Sequence, residues 1–214
     1  MKGSTQSKTK KLEPRWPRDH YSWSQYNIWV NQGPREYALK YIYDEAARTN
    51  PRMLLGKQVA EMVENDLEQE DEALEHLRIF LPRYQYQEYK IEEELNGIKL
   101  VGFLDGFDED PMKVGEYKTG RLWTKGMADK TEQLHWYALL LYLKFGVDPG
   151  RVPMVLHWMP TEWKEGEPLK PTGDIENFET RRTLRDCLDV GKRITDSWKK
   201  IGEFCAIEYA SLGL

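Results

Sequence analysis

The 214-residue sequence has little cysteine, with Cys187 and Cys205 its only two. Two cysteines without CxxC spacing exclude a disulfide scaffold, and they exclude an iron–sulfur cluster held by four cysteines of this chain. A reducing compartment, the cytoplasm, is the matching expectation. Long apolar runs are missing too. The longest apolar run is ALLLYL at 138–143, preceded by the polar-edged His-Trp-Tyr, whereas a bilayer crossing needs roughly 20 apolar residues. No membrane partner is therefore expected. The basic opening MKGSTQSKTKK runs into LEPRWPRDHYSW and not into the apolar segment of a secretory signal. There is no GxxxxGK[ST] loop, so the chain is not its own ATP-driven motor and no ATP cofactor is expected. The histidines His20, His76, His135 and His157 form no HExxH or comparable spacing, so each is expected to make local hydrogen bonds.

What is abundant is aromatic surface, with Trp 8 and Tyr 12, enough for large buried area and for polar-edged rings in grooves. The formal net charge of -5 argues weakly against unspecific polyanion binding, but the charge is unevenly spread. Residues 1–20 are rich in Lys and Arg while 61–75 are strongly acidic, so a basic groove can coexist with an acidic exterior. The first 19 residues lack apolar periodicity and contain Pro14 and Pro17, which reads as a flexible basic tail ahead of a single domain over 20–214.

Along that domain, Ser22 or Ser24 can cap a helix, and Gly33-Pro34 divides helical segments near 23–31 and 35–46. One long helix is expected over 53–78, with an acidic, solvated second half. Strands near 84–95 and 98–107 join at Asn96-Gly97, the dipeptide favoured in type I′ turns. KVGEYKTG at 113–120 is a third strand. A helix over 129–145, a buried strand over 152–159 and a final helix over 174–201 complete an α/β architecture with a mixed central sheet flanked by helices.

The chemistry concentrates in GFLDGFDEDPMKVGEYKTG at 102–120. Asp105 ends one expected strand, and the two-residue period puts Glu116 and Lys118 on one face of its neighbour, so hairpin pairing can bring all three together. Two carboxylates can hold a hard divalent cation that keeps several waters, and such a cation neutralises charge growing on a phosphodiester. A lysine ammonium beside them can orient the attacking water. The tripeptide alone is common and its plain alternative is a surface ion pair; the strand context and upstream Asp105 favour the functional reading. DEDP at 108–111 reads as a polar turn.

Taken in order, SWSQYNIWVNQGPREYALKYI, LLGKQVAEMVE, GFLDGF, VGEYKTG and QLHWYALLLYL resemble the RecB/Cas4-like branch of PD-(D/E)XK nucleases, including phage and mitochondrial genome-maintenance exonucleases. The resemblance covers about residues 21–145 and lacks the cysteines of the cluster-containing members. It implies a restriction-endonuclease-like core and Mg²⁺- or Mn²⁺-dependent hydrolysis of DNA. It further implies an exonuclease acting at ends in recombination, repair or phage DNA processing, with a helicase, single-strand-binding or recombination protein as a partner. The bacterial cytoplasm is the implied place, an organelle the alternative. A structure-selective endonuclease and a noncatalytic nucleic-acid-binding or assembly subunit stay open.

By the same resemblance Asp105 and Glu116 bind metal, Lys118 assists hydrolysis, and Gln133 and Tyr137, four apart on one helical face, support the site. Many members carry a metal-binding histidine where this chain has Ala60. Glu61 is the replacement candidate, and helical spacing equally sets it on a solvated face with Glu64, Asn65 and Glu68. Arg121, Lys125 and Lys130, together with Arg181, Arg182 and Arg185, are candidate phosphate contacts, and Trp123 is a candidate for base stacking. For each the plain alternative is a solvated charge or a ring packed back on the domain. Most of Trp23, Tyr26, Trp29, Tyr37, Tyr41 and Tyr43 are expected in the core.

Overall fold

The computed structural model describes residues 13–45, 50–120, 122–163, 165 and 168–214. In chain order its elements are β1 (Tyr21–Ser22), α1 (Trp23–Asn31), α2 (Pro34–Tyr41), α3 (Pro51–Asn65), α4 (Glu72–Phe80), β2 (Tyr86–Leu95), β3 (Ile98–Glu109), β4 (Met112–Gly120), α5 (Lys125–Lys130), α6 (Glu132–Phe145), β5 (Met154–Glu162), β6 (Lys170–Pro171), β7 (Glu176–Thr180) and α7 (Leu184–Ser211).

Local chemistry explains most of the boundaries. Ser22, Asn50, Thr124 and Thr183 accept hydrogen bonds from the first turns of α1, α3, α5 and α7, and Pro34 and Pro51 sit where a missing N–H costs nothing. Asn96 and Gly97 both have positive φ, at 52° and 77°, as a type I′ turn demands, and this turn locks β2 and β3 into register from Leu95↔Ile98 to Tyr86↔Phe107.

Three expectations are corrected. The single helix over 53–78 is two helices, because Asp66 is left-handed at the end of α3 and the Asp71 carboxylate caps α4. The helix over 129–145 is likewise broken, between α5 and α6 at Thr131. The final helix begins ten residues late, at Leu184: 176–180 is strand β7 on the edge of β5, and a capping box between Thr183 and Asp186 starts α7. Described residues ahead of residue 20 also pack on the domain. Trp16 stacks on Trp198 at 5.2 Å and donates from Nε1 to the Trp198 carbonyl, while the Arg15 amide donates to the Gly202 carbonyl.

β3 is the pivot of the mixed sheet. One edge carries β2 throughout; the other carries β1, parallel, at Leu100 and Val101, and β4, antiparallel, from Gly106 to Glu109. β4 runs parallel to β5, which takes β7 and β6 antiparallel. Both faces of this sheet are covered. Val114 of β4 joins the larger core with α1, α6 and α7, whereas Tyr117, three residues on and therefore on the opposite face, packs with Val59, Met62 and Leu77 of α3 and α4. α6 is the most deeply set helix, with Leu134 and Trp136 through Leu141 all buried. Among the described residues no helix is long and apolar enough to cross a membrane.

Candidate active site

The site forms where β3 and β4 part. Their ladder ends at Gly106↔Gly115, so Asp105 and Glu116 are the next residues on the two diverging strands. The Asp105 carboxylate takes up the backbone donor that the lost ladder leaves free: its Oδ2 accepts from the Tyr117 amide at 2.9 Å. The fork is filled by Tyr84, whose ring lies against both glycines and whose hydroxyl is 2.7 Å from His157 Nε2. His157 Nδ1 lies 2.6 Å from Asn177 Oδ1, so a polar row, buried at Tyr84 and His157 and reaching solvent at Asn177, ties the β2 approach to β5 and β7.

Glu116 is 1% exposed and ion-paired with Lys118. Apart from that pair, neither carboxylate oxygen has a hydrogen-bond partner among the described residues. Lys118 Nζ donates to Gln133 Oε1 at 2.9 Å, and Gln133 Nε2 donates to the Tyr137 hydroxyl at 2.8 Å. The structure therefore brings Asp105, Glu116, Lys118, Gln133 and Tyr137 into one constellation, with the ammonium aimed between a buried acid and an amide of α6.

The electrostatics follow from burial. Loss of water, then the neighbouring Asp105 charge, lifts the Glu116 pKa to about 8 against the opposing pull of Lys118. Asp105 is raised for the same first reason. Burial opposes the Lys118 ammonium, yet the two carboxylates outweigh it and hold its pKa above the ordinary lysine value. A neutral lysine acting as general base is not what this arrangement favours; a fixed cation next to a proton-sharing acid pair is.

Gly56 lets α3 approach β4, an ideal Cβ there standing 3.4 Å from Thr119 Oγ1. This approach leaves a cavity of about 50 Å³ beside Asp105, bordered by Ala60 and Glu64 of α3 and by Glu88 of β2. Glu61 is not there. It points outward, half exposed, 3.4 Å from Lys57, which corrects its assignment as a replacement ligand; Glu64, one turn after Ala60, faces the cavity instead. Glu88 was not singled out from the sequence, although the register fixed by the Asn96-Gly97 turn sets it opposite Asp105. Its pKa is raised by burial and by the Asp105 and Glu64 charges. Among the described residues no cluster of three or more His, Cys, Asp or Glu side chains could enclose a metal ion. Two oxygen-donor side chains, one of them buried and short of partners, suit a hard cation that keeps most of its water.

The basic residues picked from sequence are largely engaged elsewhere. Arg182 is buried, donating to Thr180 Oγ1 and to the carbonyls of Arg181, Ala128 and Thr131, and so ties α5 to the start of α7. Arg181 pairs with Glu179, Arg185 with Asp189 at 3.8 Å, and Lys125 with Asp129. Trp123 is half-buried against Ala128, Leu156 and Trp158. Lys130 is exposed and borders a shallow pocket with Trp123 and Met127. Arg121 lies outside the described residues.

Neither protein-family models nor curated sequences match the chain. Among solved structures it resembles a candidate exonuclease from Eubacterium rectale, with a TM-score of 0.57 and 13% identity over 90% of this chain and 82% of that one. It also aligns with SSO0001, with a TM-score of 0.46 and 15% identity over 84% of this chain and 75% of that one. At these identities the first likeness is one of fold, and the second carries no argument.

Proposed function

We propose that the chain is a metal-dependent deoxyribonuclease with a restriction-endonuclease-like core, of the RecB/Cas4-like branch of PD-(D/E)XK enzymes, acting as an exonuclease at DNA ends in recombination, repair or phage DNA processing. The observation that carries this reading is the fork itself. Asp105 and Glu116 follow the last paired residues where β3 and β4 diverge, and Lys118, two residues past Glu116, is held by that buried carboxylate and by Gln133.

Asp105 and Glu116 would hold Mg²⁺ or Mn²⁺. Bound there, the cation would supply charge neutralisation for the phosphate and a more acidic water. Lys118 orients the attacking water and faces the charge that grows on the phosphate oxygens as the water oxygen bonds to phosphorus and the strand oxygen departs. Gln133 fixes the ammonium through one hydrogen bond, and Tyr137 fixes the amide through the next. The fold likeness to a candidate exonuclease supports the nuclease class, and the preference for ends rests on the family resemblance. A separate helicase, single-strand-binding or recombination protein would open or deliver the DNA.

Ala60 on the cavity wall supports a second reading, a noncatalytic subunit that keeps the fold and binds nucleic acid. A time course on end-labelled linear DNA beside closed circles separates the possibilities: loss of linear substrate alone marks an exonuclease, cut circles an endonuclease, and binding without turnover the subunit.

A further inference from the structure

β5 carries a polar side chain where the sheet is covered on both faces: His157 is buried, and so are its neighbours Leu156 and Trp158. Its hydrogen-bond partners are not local. They lie 73 and 20 residues away in the chain, at Tyr84 and Asn177. One arrangement of protons satisfies the whole row. The Tyr84 hydroxyl has no other partner among the described residues, so its proton needs an unprotonated Nε2; the imidazole proton then sits on Nδ1 and faces Asn177 Oδ1. Burial lowers the His157 pKa, which favours the neutral ring that this arrangement needs. Burying an imidazole costs desolvation that an apolar side chain at 157 would avoid, so packing alone does not account for a histidine here.

What the row holds lies next to Asp105. An ideal Cβ on Gly115 would stand 2.7 Å from the Tyr84 hydroxyl oxygen, while one on Gly106 would meet the opposite end of the ring, so the hydroxyl end lies over β4 and the other over β3. Two further links lead from this row to Asp105. In the orientation that satisfies both ends of its amide, Gln87 donates to the Asp105 carbonyl at 2.8 Å and accepts from the Tyr84 amide at 3.1 Å. Tyr117, whose own amide donates to Asp105 Oδ2, has its ring 5.4 Å from the His157 imidazole and 6.5 Å from the Tyr84 ring. A fully satisfied buried network of this kind selects one arrangement of the groups around it.

We propose that His157 is a positioning residue for the cation site: as the Nδ1–H tautomer it accepts from Tyr84, fixes that ring in the β3–β4 fork, and through Gln87 and Tyr117 holds Asp105 where a divalent cation needs it. The inference rests on the nuclease reading and adds to it a control of metal affinity by a residue of β5 that is not itself a ligand.

The test uses the full chain. Long-range nitrogen–proton NMR correlation of the imidazole reads the tautomer: a proton on Nδ1 is expected, and a proton on Nε2 overturns the row. Calorimetric titration with Mn²⁺ reads its consequence. His157→Leu removes the acceptor and is expected to weaken binding about tenfold, whereas His157→Gln keeps an acceptor near the Nε2 position and should retain most of the affinity. Tyr84→Phe keeps the ring in the fork and removes only the hydroxyl, so it carries the test if His157→Leu does not fold. It should lose about as much, and in the double variant the two losses should not add. A role in stability alone would lower the melting temperature and leave the Mn²⁺ affinity of the folded variants unchanged; that result, or additive losses, overturns the proposal. DNA cleavage by wild type, measured in parallel, separates the two ideas. If wild type binds Mn²⁺ and cuts while both variants bind Mn²⁺ equally well, the positioning role fails and the nuclease stands. If the variants lose Mn²⁺ affinity but wild type cuts no DNA, the positioning role stands and the nuclease reading fails. If wild type neither binds Mn²⁺ nor cuts, both fail.

Discussion

The Tyr84 ring occupies the space that a side chain on Gly115 would need: an ideal Cβ there would stand 2.3 Å from Tyr84 Cε2, and one on Gly106 would stand 2.3 Å from Cδ2. These glycines are the last paired residues before Asp105 and Glu116 diverge, so Tyr84 wedges the fork from which both carboxylates project. Gly115→Ala is expected to lower stability by about 1–3 kcal/mol through overpacking. Thermal denaturation measures it, and adding Tyr84→Ala should recover part of the loss. Additive losses in the double variant would show that the ring and the glycine are not coupled.

Metal-free stability should depend on pH through Glu116. Its pKa is raised from 4.5 to about 8, so the folded chain keeps a proton that the unfolded chain releases. That contribution is fully present below pH 4.5 and is lost as pH rises through about 8. Melting temperature in EDTA should therefore fall across this window, and Glu116→Gln should flatten the fall. Parallel curves for the two proteins would remove Glu116 as the cause.

Ala60 borders the cavity beside Asp105, while Glu61 points at Lys57 in solvent. Ala60→His puts an imidazole on that wall and is expected to tighten Mn²⁺ binding at least tenfold, about 1.4 kcal/mol. Glu61→Gln should leave it unchanged. Calorimetric titration reads both. A large loss in Glu61→Gln would restore Glu61 as a ligand.

Arg182→Ala should unfold the protein more readily without acting on nucleic acid. It leaves the carbonyls of Ala128 and Thr131 short of a donor, a cost of about 1–3 kcal/mol. The salt dependence of DNA binding by the folded variant should match wild type; a slope reduced by about 1 would mean that Arg182 reaches phosphate.

The parts of this protein that were legible in its sequence are those set by short-range chemistry. Asn96-Gly97 announced the β2–β3 hairpin, and two-residue alternation put Glu116 and Lys118 on one face of β4. Four-residue spacing put Gln133 and Tyr137 on one side of α6, where they now link to Lys118. What escaped depends on tertiary context. The apolar pattern over 53–78 runs through the break between α3 and α4, because Asp66 and Asp71 act by backbone conformation and capping. ENFET in β7 is too polar to advertise a strand, and it forms as an edge partner of β5. The direction of Glu61, the burial of Arg182 and the distant partners of His157 follow from how helices, loops and edge strands settle onto the sheet, which residue spacing does not encode.

The most direct measurement is the rate of DNA cleavage by wild type, Lys118→Ala and Gln133→Ala, each folded and at matched concentration, with Mg²⁺ or Mn²⁺ and with EDTA. Wild type should cut only with metal, Lys118→Ala should lose about 10²- to 10⁴-fold in rate, and Gln133→Ala should lose less. Full activity in Lys118→Ala, or cleavage that persists in EDTA, would contradict the assignment of the β3–β4 fork as the active site.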